Sequence, residues 1–252
     1  MKMRLMGKRR KRSRILVVGN FTFDVIDGKR FPGGPPLYAG LGVVAAGGVP
    51  ILWGKFGPDY PLQVLDFPHE LIGLRGGNTT TFRVLFENGR RIMSVLENSG
   101  KIGWPPSLDV DGVLVDPVCS EVDSNLLDGV NVPMAVDVQG FIRKICGTSP
   151  LPSQGMVLHA NYDEFSSLDT NLQELSRGNR EILLSFDSDG FLLISGSKTQ
   201  FYRSDMRGER TVGNGDFLLA SYFTLRVSGY GPWEAAQESK WLVESFSNSL
   251  PI

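Results

Sequence analysis

Apolar residues along this chain come in short runs bounded by glycine or polar turns. Arg14-Ile15-Leu16-Val17-Val18-Gly19-Asn20 is the first. A β-branched run ending in glycine is the pattern of a buried strand that hands its carboxyl end to a loop. After Pro32-Gly33-Gly34-Pro35-Pro36, the Ala-, Gly- and Val-rich stretch 37–47 suits a helix packed closely on a sheet, closed by Gly48. Residues 79–86 and 91–97 are strand-like around Asn88-Gly89, which predicts a hairpin. Short apolar strands then recur at 112–115, 132–136, 156–160, 181–185 and 191–195, with helical stretches between several of them. Strands alternating with helices predict an α/β domain with a mainly parallel sheet covered on both faces, its ligands at the carboxyl ends of the strands.

Composition adds a size and a charge asymmetry. With 252 residues, 41% hydrophobic and 21% charged, the chain can bury a full core as one domain. Its 26 basic and 27 acidic residues nearly balance, yet eight of the Lys and Arg lie in residues 1–14. Without them the body has 18 against 27, a net −9, which opposes nucleic acid and anionic membrane. The expected organisation is a basic, frayed tail over 1–14 and a single domain over 15–252. No apolar run reaches membrane-spanning length or forms a signal-peptide core. Cys119 and Cys146 lack CxxC spacing, and His69 and His159 are scattered, so reduced cysteines packed in a cytoplasmic protein are expected.

Candidate chemistry centres on Thr211-Val212-Gly213-Asn214-Gly215-Asp216, ahead of an apolar and aromatic segment at 217–224 that can run as a buried helix. Glycines there let backbone N–H groups converge, and the helix dipole adds attraction for an anion such as phosphate. An acid in the first turn beside a phosphate suggests a general base for an attacking hydroxyl. Taken alone, the segment fits an ordinary helix start equally well. Likewise Asn161-Tyr162-Asp163-Glu164 taken alone is an Asn/Asp turn opening a helix.

The segment 211–216 resembles the Asp-Thr-x-Gly-Ala-Gly-Asp signature of the ribokinase-like (PfkB) carbohydrate kinases, with Arg210 in place of the first Asp and Asn214 in place of Ala. Other matches follow in family order. Gly19 to Asp24 is similar to the first strand and its substrate-binding Asp, Pro32-Gly33-Gly34 to the Gly-Gly substrate loop, and Lys55-Phe56-Gly57-Pro58-Asp59 to the turn after the second strand. Asn161 and Glu164 match the Asn-x-x-Glu element, and Ser185-Phe186-Asp187-Ser188-Asp189-Gly190 occupies the place of the nucleotide loop. Asp137 to Arg143 looks like the corresponding region of archaeal inositol-kinase-like members.

The resemblance implies a three-layer αβα ribokinase-like fold with a small β-hairpin lid, formed chiefly by residues 79–97. It implies Mg-assisted transfer from ATP to a hydroxyl of a small sugar or polyol, with inositol-like polyols favoured. Asp216 would be the catalytic base, with Gly213, Asn214 and Gly215 as the anion hole. Asp24, Gly33, Gly34, Gln139 and Arg143 would bind the acceptor, Ser185, Gly190 and Thr211 the nucleotide, and Asn161 and Glu164 Mg²⁺ through water. The implied partners are small molecules, and the chain a monomer or homodimer. A nucleoside kinase of the same fold and a non-catalytic sensor are the alternatives; Arg210, Asp187 and a shortened C-terminal part motivate the second.

Overall fold

In the computed structural model, residues 12–87, 90–105, 107–152, 155–168, 180–205, 208 and 212–249 are described. The basic segment 1–11, the Asn88-Gly89 turn, Arg210 and Thr211 lie outside them.

The chain opens with β1 (Arg14–Val18), followed by the hairpin β2 (Thr22–Ile26) and β3 (Lys29–Gly33), helix α1 (Pro35–Ala45) and β4 (Val49–Trp53). Short strands β5 (Lys55–Phe56), β6 (Glu70–Leu71) and β7 (Leu74–Arg75) precede the long hairpin β8 (Thr80–Glu87) and β9 (Arg90–Glu97). Next come β10 (Gly112–Val115), β11 (Met134–Asp137), α2 (Gln139–Ile142), β12 (Val157–Asn161) and α3 (Tyr162–Ser166). The last described elements are β13 (Glu181–Ser185), β14 (Gly190–Ser195), β15 (Lys198–Arg203), α4 (Asn214–Val227) and α5 (Pro232–Ser247).

Nine strands form the central sheet in the order β15-β14-β13-β12-β11-β10-β1-β4-β6. Pairing is parallel from β6 to β13 and antiparallel over β13-β14-β15. Alternate residues of β1 point to opposite faces. Ile15 and Val17 join the cluster beneath α1, α4 and α5, with Leu37, Leu219 and Ala236. Leu16 and Val18 join the other, with Leu127 and Phe141. The three-layer arrangement follows from that alternation.

Several expectations need correction. The lid is a four-stranded sheet, β3-β2-β8-β9, rather than a small hairpin. Asp27 and Gly28 both take positive φ (49° and 76°), the two left-handed positions of a tight hairpin turn, so residues 22–33 fold back as two lid strands. Helix α1 is closed by Gly47 at φ 83°, one residue before the expected Gly48. Arg14 belongs to the body: its side chain forks onto Glu70 at 2.5 and 3.0 Å, and its N–H donates to Asp111. Finally, Cys119 and Cys146 are joined as a disulfide, with Cα atoms 5.0 Å apart, where reduced thiols were expected. The segments after β10 and after α2 run side by side, which sequence separation conceals.

Candidate active site

The carboxyl ends of β1, β10, β11 and β12 open toward the amino end of α4, and a cavity of about 80 Å³ lies there. Asp24, Phe82, Gln139, Arg143, Gly213 and Asp216 are among its lining residues. A wider hollow of about 400 Å³, lined by Lys198, Thr199, Gln200 and Trp233, shares no residue with it and gathers no carboxylates. The smaller cavity is therefore the candidate site. It falls well short of the ~300 Å³ of an ordinary ligand cleft. Phe82 of β8 and Met93 of β9 form part of its wall, so the lid sheet bounds its opening.

Gly213 caps α4 in the left-handed region, φ 79° and ψ 3°, and Asp216 stands in the first turn. A Cβ at Gly213 would lie 2.2 Å from the Tyr38 ring, so with its positive φ that position demands glycine, while one at Gly215 would crowd His159 Cε1 at 3.0 Å. The first-turn N–H groups of α4 have no partner within the helix, which leaves Gly213, Asn214 and Gly215 at an anion-accepting end.

Around Asp216 the polar groups form a chain. Gln139 Nε2 donates to Asp216 Oδ1 and to Asp116 Oδ1, each at 3.2 Å. Arg143 donates to Gln139 Oε1 at 2.7 Å and to the Val118 carbonyl at 3.0 Å. Gln139 opens α2 and Arg143 follows its last residue, and the bond between their side chains, with the Val118 carbonyl, fixes Arg143 in place. Asp137 accepts from Gln139 N at 2.8 Å, and its Oδ2 lies 2.6 Å from His159 Nδ1. The other ring nitrogen of His159 is 3.2 Å from Ser185 Oγ.

Electrostatics follow from the crowding. Burial, with Asp137's charge behind it, pushes Asp216 up to about 7 despite His159, Arg143 and Gln139. Burial and the charges of Asp216 and Asp137 hold Asp116 well above the usual carboxylate range. Burial and then Asp137 raise Glu164. Burial alone would lower His159, but the charge and hydrogen bond of Asp137 outweigh it and raise the imidazole.

Asn161 and Glu164 form a capping box on α3: Asn161 Oδ1 accepts from Glu164 N at 2.7 Å and Glu164 Oε2 from Asn161 N at 3.0 Å. The helix-opening reading of this motif is therefore realised, and it presents an amide oxygen and a carboxylate, hard donors of the kind Mg²⁺ takes. Ser185 ends β13 and Gly190 begins β14 across a tight turn, with Phe186 N donating to Gly190 O at 2.8 Å. A Cβ at Gly190, φ 125°, would sit 2.0 Å from Tyr202 O, so that glycine answers a backbone demand. Asp187 has φ 44° in the same turn.

The structure thus brings Asp24, Gly34, Gln139, Arg143, Gly213 and Asp216 to one cavity, with Asn161, Glu164 and Ser185 toward β12 and β13. Sequence reasoning missed Asp116, Asp137, His159 and Tyr38 as site residues. The signal for the first two was present, since each ends or follows a central strand.

No family model matches the sequence, and no curated protein matches it. Solved structures match at the level of fold. A pyrophosphate-dependent kinase in the ribokinase family, complexed with a pyrophosphate analog and myo-inositol, aligns with TM-score 0.71 at 18% identity, over 91% of this chain and 94% of that one. Arabidopsis thaliana ribokinase complexed with ribose and ATP aligns with TM-score 0.65 at 16% identity, over 93% and 92%. Methanocaldococcus jannaschii nucleoside kinase, an archaeal member of the ribokinase family, aligns with TM-score 0.65 at 14% identity, over 94% and 91%. The chain has the ribokinase-like fold.

Proposed function

We propose that this protein is a kinase that moves a phosphoryl group from ATP to a hydroxyl of a small sugar or polyol, with Asp216 as the general base. The observation that carries the reading is the pairing, at one cavity, of an anion-accepting helix end with a carboxylate pushed up to about 7, where a base is poised near neutrality. The alignment of the fold with kinases bound to myo-inositol and to ribose supports a polyhydroxy acceptor.

Asp24, Gln139 and Arg143 hold the acceptor hydroxyls, with Gly33 and Gly34 giving the backbone close access. Asp216 takes the proton from the hydroxyl as its oxygen attacks the terminal phosphorus in line, and the backbone N–H groups of residues 213–215 hold the phosphoryl oxygens. Positioning and charge stabilisation supply most of the acceleration. Ser185 and Gly190 border the donor. Mg²⁺ held through water by Asn161 and Glu164 would offset phosphate charge.

The test is phosphoester formation, followed by ³¹P NMR, with ATP or pyrophosphate as donor and myo-inositol, ribose and inosine as acceptors. Transfer to at least one hydroxyl is expected. Tight binding of an acceptor with no transfer from either donor overturns the enzyme and leaves a sensor.

A further inference from the structure

Three carboxylates meet beside the cavity, from the ends of two strands and the first turn of α4; Asp216 lines it, and Asp116 and Asp137 lie buried behind. One oxygen each of Asp116, Asp137 and Asp216 lies within 4.8 Å of the other two. Oxygens bound to one ion at ~2.3–2.6 Å can be no farther apart than about 5 Å, so the spacing is that of a common ligand set. A second, independent observation concerns Asp116 alone. Its side chain is fully buried, its Oδ1 accepts from Gln139, and among the described residues no hydrogen-bond donor reaches its Oδ2. A buried carboxylate oxygen left unpaired is costly.

Among the described residues, the charged groups near this point leave the Asp116 Oδ2 unserved, although His159 pairs with one member of the cluster. His159 meets Asp137, Arg143 serves Gln139 and the Val118 carbonyl, and Glu121 is satisfied by the N–H groups of Asn20, Val118 and Cys119. His159 offsets Asp137, which leaves Asp116 and Asp216 to share the remaining charge; a divalent cation would neutralise both and also fill the position at the Asp116 Oδ2 that no described donor reaches. We propose that Asp116, Asp137 and Asp216 directly ligate a divalent cation behind the cavity wall at the first turn of α4, distinct from the water-mediated position at Asn161 and Glu164. The role of the cation beside the base rests on the kinase reading; its binding does not.

The experiment is a Mn²⁺ titration of the full chain without donor or acceptor, with free Mn²⁺ read by electron paramagnetic resonance. Wild type should bind one equivalent, Asp116→Asn at least ~10-fold more weakly, and Glu164→Gln as wild type. Absence of stoichiometric binding, equal binding by Asp116→Asn, or a loss confined to Glu164→Gln overturns the proposal. Should Asp116→Asn fail to fold, crystals of wild type grown with Mn²⁺ decide it. An anomalous peak within ligand distance of the three carboxylates supports the site, and one beside Glu164 alone overturns it. With no substrate present, failure here leaves phosphoryl transfer standing, and failed transfer leaves the Mn²⁺ result readable.

Discussion

Among the described residues Asp216 has one side-chain hydrogen-bond donor, Gln139, and burial with the charge of Asp137 outweighs the cations His159 and Arg143 nearby. That setting leads to three predictions. At low divalent-cation concentration, turnover should rise with pH through an apparent pKa of about 7 and plateau above it, because only the ionised base accepts the proton, and the midpoint should fall as the cation concentration is raised; a pH–rate profile flat from 5 to 8 at low cation contradicts the assignment. The sign for stability is opposite. The native state keeps a proton that the unfolded chain releases near its ordinary value, so metal-free protein should lose stability as pH climbs from about 4 to about 7. Asp216→Asn should cut kcat by roughly 10²- to 10⁴-fold while donor affinity, measured by calorimetry, stays near wild type. This residue was legible in the sequence because glycines and an acid stand together before an apolar helix. Asp116 was not, since a lone acid after a strand has no local pattern and its meaning comes from Gln139, 23 positions away.

Helices α1 and α4 pack against each other with glycine at the contact. A Cβ at Gly42 would meet Phe217 O at 2.6 Å and the Ala220 Cβ at 3.0 Å. Gly42→Leu should therefore cost at least ~1–3 kcal/mol by overpacking, visible as a lowered urea midpoint, and should also displace the first turn of α4. The small-residue composition of 37–47 announced this close approach, and the buried run Phe217 to Leu225 announced a helix enclosed on most sides. The lid was less visible. Asp27-Gly28 is as strong a hairpin signal as Asn88-Gly89, but the strands it joins carry Asp24, Lys29 and Arg30 and lack a clean apolar face. β15 escaped for the same reason: four of its first residues are exposed, and pairing with β14 alone defines it.

Across the whole molecule, the cystine ties the loop after β10 to the segment after α2 over 27 positions. Loop-closure entropy for a ring of that size is worth roughly 3–4 kcal/mol, so Cys146→Ser should lower unfolding stability by about that amount, and a thiol reductant should do the same to wild type. Equal denaturation midpoints with and without reductant would contradict the bond. Sequence alone gave no purchase on this pairing, because two cysteines without a spacing motif become neighbours only once β10 and β11 are paired.

Tyr38 stands between the two halves of the site. Its ring would be 3.4 Å from a Cβ at Gly33, on the acceptor side, and 2.2 Å from one at Gly213, at the anion-binding helix end. One rigid side chain on α1 thus touches the backbone that each substrate needs. Whatever one ligand does to that ring, the other must register to the same degree, because coupling between two binding equilibria is reciprocal. Tyr38→Ala should accordingly change the KM for donor and acceptor together and weaken the dependence of each on the other's concentration. On the proposed kinase reading, a substitution at Gly33 that moves the Tyr38 ring should also change donor binding at Gly213.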